Sequence, residues 1–121
     1  MAWSFKDNSP VSLQIANYLR LDIVNGKYKA GEQIPTVRQL AFDASVNPNT
    51  VQKSLSILES EGLLVSRSTL GRFVTEDEEI IKNALLKMQE EYLERVFYEA
   101  QALKITNQQF LNYIEERKDN I

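Results

Sequence analysis

Every glycine (26, 31, 62 and 71) and every proline (10, 35 and 48) of this 121-residue chain lies before residue 72. Residues 75–121 contain neither. Glycine supplies helix stops and positive-φ turns, and proline favours helix starts. The distribution therefore predicts a turn-rich front, residues 1–75, followed by long helix over residues 76–121. The length suits one ordinary domain, or a small domain with an appendage. Charge divides at the same place. The front has eight basic and six acidic side chains (net +2), and the rear six basic and eleven acidic (net −5). A mildly basic front joined to an acidic rear fits a nucleic-acid-facing domain whose appendage stays off the phosphates.

The front resolves into helices by apolar spacing. Val11, Ile15, Leu19 (with Tyr18) and Ile23 form a helical stripe, with Pro10 in the first turn and Gly26 as the stop. Tyr28 to Ile34 connects onward, and Gln33-Ile34 can add a short strand. A second helix opens on a capping box, Thr36 with Gln39 after Pro35, and buries Val37, Leu40, Ala41 and Ala44. Ser45-Val46 makes a short turn. A third helix starts with Asn47 as N-cap and Pro48 as first helical residue.

That third helix carries the functional signal. At about 100° per residue, Val51, Leu55 and Leu58 share one face, and Asn49, Gln52, Lys53 and Ser56 the opposite one. A merely solvated helix tends toward Glu and Lys. This face prefers Asn, Gln, Thr and Ser and has no acid before Glu59. Such side chains hydrogen-bond base edges in a DNA major groove. Glu61-Gly62 ends the helix, Leu63-Leu64-Val65 reads as a strand, and residues 71–75 as its return. Arg67 and Arg72 bracket this hairpin, which suits contact with phosphate or a minor groove.

Catalysis is largely excluded. With no His and no Cys, imidazole acid–base chemistry, thiolate nucleophiles, disulfides and nitrogen- or sulfur-ligated zinc are unavailable. The pairs Glu90/Glu91 and Glu115/Glu116 remain, but neighbours on a helix diverge by about 100°, as a solvated face does. No catalytic residue, metal site or cofactor is expected. No apolar run approaches the roughly 18 residues that span a bilayer, and no signal peptide is visible, so no membrane association and a cytoplasmic location are expected.

In the rear, a helix is expected from Glu78 to about Lys104, opened by Thr75. Ile81, Leu85, Met88, Tyr92, Val96, Ala100 and Leu103 recur at spacings of 3 and 4, widened by Leu86, Leu93 and Phe97. Thr106 with Gln109 forms another capping box, starting a helix with Phe110, Leu111, Tyr113 and Ile114. One hairpin cannot cover this much apolar surface. Pairing with a second copy would bury it in a four-helix core, and this reading is favoured over packing back onto the front. Tyr92, Tyr98 and Tyr113 are candidates for a small-molecule effector, although aromatics at this spacing are usually core.

Five blocks then occur in order: P-V-S-L-Q-I at 10–15, G-x-x-I-P-T-V-R-Q-L-A at 31–41, V-N-P-N-T-V at 46–51, L-E-S-E-G-L-L at 58–64 and R-S-T-L-G-R-F-V at 67–74. Together they resemble the GntR family of bacterial winged helix-turn-helix regulators. The N-P-N-T-V form and short helical rear most resemble its YtrA-type branch. The resemblance implies a mostly α fold with a small β-hairpin, a winged helix-turn-helix domain followed by a two-helix dimerisation hairpin. It further implies a homodimeric repressor, often of an ABC-transporter operon. Its DNA contacts fall on Arg38 from the second helix, on Pro48, Asn49, Thr50, Gln52 and Lys53 from the third, and on Arg67, Ser68, Thr69 and Gly71 from the wing. Dimerisation residues are expected at Ile81, Leu85, Met88, Tyr92, Val96, Phe97, Ala100, Leu103, Phe110 and Ile114.

Two positions depart from the family pattern. Gln52 stands where Arg is common, and Gln prefers adenine N6/N7 where Arg prefers guanine. Thr69, followed by Leu70, stands where the wing usually has the first Gly of Gly-x-Gly, so a differently shaped tip is expected. The expected partners are thus double-stranded DNA carrying an inverted repeat and a second copy of the chain. The competing reading, a winged-helix module that binds protein, would respond weakly to salt, whereas DNA binding weakens steeply.

Overall fold

The computed structural model describes residues 3–120. In chain order it has α1 (Val11–Val24), α2 (Val37–Ala44), α3 (Pro48–Ser60), β1 (Leu64–Ser66), β2 (Arg72–Val74), α4 (Glu78–Ala102) and α5 (Asn107–Glu116). The chain forms two compact units, one ending at Leu85 and the other beginning at Leu86.

The front unit is built around α1 and α3. The expected stripe of α1 buries Ile15, Leu19 and Ile23 together with Ala16. Val51, Leu55 and Leu58 of α3 are equally buried, as are Leu40 and Ala41 of α2. Ile34, Leu63, Leu64 and Val74 complete the core. Each fully buried aliphatic side chain contributes about 1.5–3 kcal/mol. Val46 tucks against this core from the α2–α3 turn. That turn is closed by Ser45 in the left-handed region (φ 56°, ψ 46°). Pro10 sits one position earlier than expected, as the cap residue whose carbonyl accepts from Leu13 and Gln14.

The cap of α2 forms by half. Thr36 Oγ1 accepts from the Gln39 N–H at 3.1 Å, but no reciprocal bond from the Gln39 side chain is made among the described residues. In α3, Asn47 Oδ1 accepts from the Asn49 N–H at 2.7 Å, with Pro48 as first helical residue.

The hairpin is antiparallel, with Leu64 opposite Val74, Val65 opposite Phe73 and Ser66 opposite Arg72. The segment before α2 lies along its free edge. Gly31 N–H donates to Val74 O (3.0 Å), Val74 N–H to Glu32 O (2.8 Å) and Ile34 N–H to Arg72 O (3.0 Å). The short strand expected at Gln33-Ile34 is thus a single bridge, Gln33 to Phe73. Ahead of α1, Trp3 stacks on Tyr18 (centroids 5.5 Å) and Phe5 meets the same ring edge-on (6.3 Å). Neither contact was evident from helical periodicity.

Asp77, not Thr75, opens α4. Its Oδ1 accepts from Glu79 N–H at 3.0 Å, and Thr75 Oγ1 supports the preceding turn by accepting from Asp77 N–H at 3.1 Å. Ile80, Ile81 and Ala84 then pack against the front core. The front unit therefore runs ten residues beyond the division drawn from composition.

The second unit holds the rest of α4 and α5. Its capping box is complete: Thr106 Oγ1 accepts from Gln109 N–H (3.1 Å), and Gln109 Oε1 accepts from Thr106 N–H (2.8 Å). Neither helix carries a fully buried residue. No helix among the described residues is long and apolar enough to cross a membrane.

Candidate nucleic-acid interface

The face of α3 opposite the core is open. Pro48, Asn49, Gln52, Lys53 and Ser56 are all exposed, and Thr50 is half-buried. Because Val51, Leu55 and Leu58 lock one side of the helix, the other is held outward without further contacts. Arg38, in the first turn of α2, is exposed as well. Neither Arg38 nor Lys53 forms a salt bridge among the described residues. Both charges are thus free for phosphates, and Asn49 and Gln52 offer paired donors and acceptors.

The wing tip is a short 3₁₀ turn over Ser68–Leu70. Ser68 takes φ 50°, and Gly71 takes φ 117°, a value that L side chains rarely adopt. A Cβ on Gly71 would also meet Gln33 Nε2 at 3.0 Å. The Gln33 amide donates to Leu70 O, so the tip is held from the connecting segment. Ser68 and Thr69 are exposed, Thr69 at the first glycine position of the family pattern, and Leu70 between it and Gly71 stands 66% exposed. The tip is thus a braced turn that presents an apolar side chain.

The two wing arginines differ. Arg67 lies over the Phe73 ring (4.8 Å to the centroid) and reaches Glu76 at 3.4 Å, with its side chain still half-exposed. Arg72 is drawn inward to Glu59, which also accepts from Ser66 Oγ at 2.9 Å. The Arg72 guanidinium, with help from Ser66, holds the Glu59 carboxyl below the usual carboxylate range against the opposing pull of partial burial. The reading of Arg67 and Arg72 as equivalent basic brackets is corrected on this point: Arg72 is already matched by an acid thirteen residues earlier. Glu59, Gln33 and Glu76 escaped the sequence reading. Only Glu59 had a signal, as the first acid on an otherwise acid-free helix.

The residues expected at a dimer interface are divided between the units. Ile81 packs into the front core, and Leu85 is half-buried at the end of that unit. In the second unit Met88, Val96 and Ala100 are half-buried, and Tyr92, Phe97, Leu103, Phe110 and Ile114 are exposed. Between α4 and α5 runs an apolar groove of about 760 Å³, lined among others by Leu86, Leu93, Phe97, Phe110 and Leu111. None of Tyr92, Tyr98 and Tyr113 lines it. Tyr92 and Tyr113 instead lie beneath Arg95 (5.3 Å) and Arg117 (3.6 Å).

With this geometry in place, comparison with known proteins is decisive. Residues 11–74 match the family described as bacterial regulatory proteins, gntR family. The chain belongs to that family. Its members are DNA-binding transcriptional regulators and not enzymes. It is 32% identical to the HTH-type transcriptional regulator YhcF of Bacillus subtilis over 92% of each chain. It is 26% identical to the HTH-type transcriptional repressor YtrA of the same organism, over 92% of this chain and 86% of YtrA. Among solved structures, a GntR family transcriptional regulator from Listeria monocytogenes superimposes with a TM-score of 0.86 at 28% identity, over 93% of this chain and 98% of that one. The DNA-binding domain of AraR, solved with its operator ORX1, matches with a TM-score of 0.55 at 28% identity, over 62% of this chain and 92% of that one. The winged helix-turn-helix fold and the YtrA-like affinity read from the motifs both stand.

Proposed function

We propose that the protein is a homodimeric repressor that binds an inverted-repeat operator. The observation that carries this reading is the exposed, acid-free run of Asn49, Gln52, Lys53 and Ser56 on α3, beside Arg38, which forms no salt bridge among the described residues. In it Asn49 and Gln52 read base edges, Arg38 and Lys53 hold phosphates, and Pro48 and Thr50 seat the start of α3 against the groove. Arg67, Ser68, Thr69 and Gly71 form the wing contact. Likeness in fold to the AraR domain, solved with its operator, supports DNA binding by the front unit. Dimerisation is assigned to the second unit, whose two helices leave the side chains of Leu93, Phe97, Leu111 and Tyr113 more than half exposed. The resemblance to YtrA-type regulators points to an ABC-transporter operon as the target.

The test is selection of bound duplexes from a random pool, followed by footprinting. Two symmetric half-sites about one helical turn apart are expected, with affinity falling steeply as salt rises. Protection of one asymmetric site by a single protomer, or binding indifferent to salt, would overturn the reading.

A further inference from the structure

Glu59 sits in the last turn of the recognition helix α3, yet among the described residues its carboxylate bonds only outside that helix. One oxygen accepts from Arg72 Nε and the other from Ser66 Oγ. Ser66 and Arg72 face each other as the last paired residues before the wing tip. A single side chain on α3 thus grips both strands of the wing at the rung nearest its tip. The ion pair is largely sheltered, with 17% of the Arg72 side chain and 30% of the Glu59 side chain exposed. Charge-assisted bonds in such a setting are stronger and more geometrically exacting than exposed ones.

We propose that Glu59 is a positioning residue that fixes the wing against the recognition helix and withholds the charge of Arg72 from DNA. The role rests on the reading of α3 and the wing as the DNA-facing elements. Two consequences follow from the geometry. Helix and wing meet DNA as one body, so bases and backbone must be engaged together, which favours the one sequence whose shape fits both. And the wing presents Arg67 alone as a cation, which limits the sequence-independent attraction that every duplex exerts. The Gln33 bond to Leu70 braces the tip itself, so that Glu59 holds the two strands at the rung beside the tip and Gln33 the tip.

The test uses the full chain and two probes of equal length, a duplex selected by the wild-type protein and a scrambled duplex, each titrated across a salt series. Glu59→Gln is expected to lower the ratio of selected to scrambled affinity by roughly tenfold, about the discrimination of one base pair. It should also steepen the salt dependence on scrambled DNA by about 0.9 in log–log slope, the mark of one added phosphate contact, from the freed Arg72. Arg72→Gln should lower the ratio to a similar extent without steepening the slope, since it loosens the wing and frees no cation. A Glu59→Gln chain that is less stable but keeps the wild-type ratio and slope would overturn the proposal, because a purely structural role moves melting temperature alone. If the wild-type chain itself shows no selective binding, the DNA-reading function falls and this role with it. Selective wild-type binding with an unaltered variant removes only the role of Glu59.

Discussion

Ser54 donates its hydroxyl from α3 to the carbonyl oxygen of Ser12 in the first turn of α1, across 2.7 Å. The Thr50 carbonyl lies at 3.0 Å from the same hydroxyl. Ser54 has no exposed surface, and it interrupts an otherwise aliphatic seam between the two helices that carry the core. A buried hydroxyl is tolerable only when bonded, and its direction fixes how far α3 is rotated against α1. That rotation decides which side chains of α3 face outward.

Ser54→Ala should therefore cost about 1 kcal/mol of stability, the net value of one hydrogen bond. Urea denaturation at neutral pH measures it. Ser54→Leu should cost more, about 1–3 kcal/mol, because the added methylenes have no space. An unchanged midpoint in the first variant would mean that the seam closes equally well without the bond.

The pairing of Glu59 makes stability depend on pH. Its folded-state carboxyl titrates below the ordinary range, chiefly through Arg72. A depressed carboxyl contributes stability that is present above the unfolded pKa and is lost as pH falls through the folded one. The expected result is that the gap in melting temperature between the wild type and Glu59→Gln is constant near neutrality. It should then narrow as pH falls below about 4.3, the unperturbed glutamate value. A gap that stays constant down to pH 3 would contradict the assignment.

Local signals were legible and long-range ones were not. Asn47 with Pro48, and Thr106 with Gln109, announce helix starts because their bonds span two or three residues. The stripe Val51, Leu55, Leu58 announces a buried face because the helical period is fixed. The same periodicity could not say what covers Ile81, since a stripe looks alike whether the cover comes from its own front core or from a second chain. Nor could spacing reveal that Arg72 is spent on Glu59, or that Trp3 lies on Tyr18, because both pairs exist only once the chain has folded back.

Dimerisation should reside in the second unit. A chain ending at Leu85 retains Ile80, Ile81 and Ala84, which the front core needs, whereas one ending at residue 75 would lose them. Sedimentation of the longer truncation should give a folded monomer, against a dimer for the whole chain. Phe97→Glu in the whole chain, in the groove between α4 and α5, should likewise give a monomer. A truncation that remains dimeric would move the interface to the front unit.

Gln52 and Lys53 are neighbours on the open face of α3 and should fail in different ways. Both are exposed, and neither contributes to the core, so replacing either leaves the fold intact. Lys53 carries a charge and no acceptor, which suits a phosphate present on every duplex. Lys53→Ala should weaken selected and scrambled DNA alike and reduce the salt slope by about one. Gln52 offers an acceptor and two donors, which match adenine N6 and N7. Gln52→Ala should spare scrambled DNA and lose about 1–3 kcal/mol of preference at a single position of each half-site. Affinities measured over a panel with every operator base varied separate the two. An even loss across the panel for Gln52→Ala would make Gln52 an anchor to the backbone and leave base reading to Asn49.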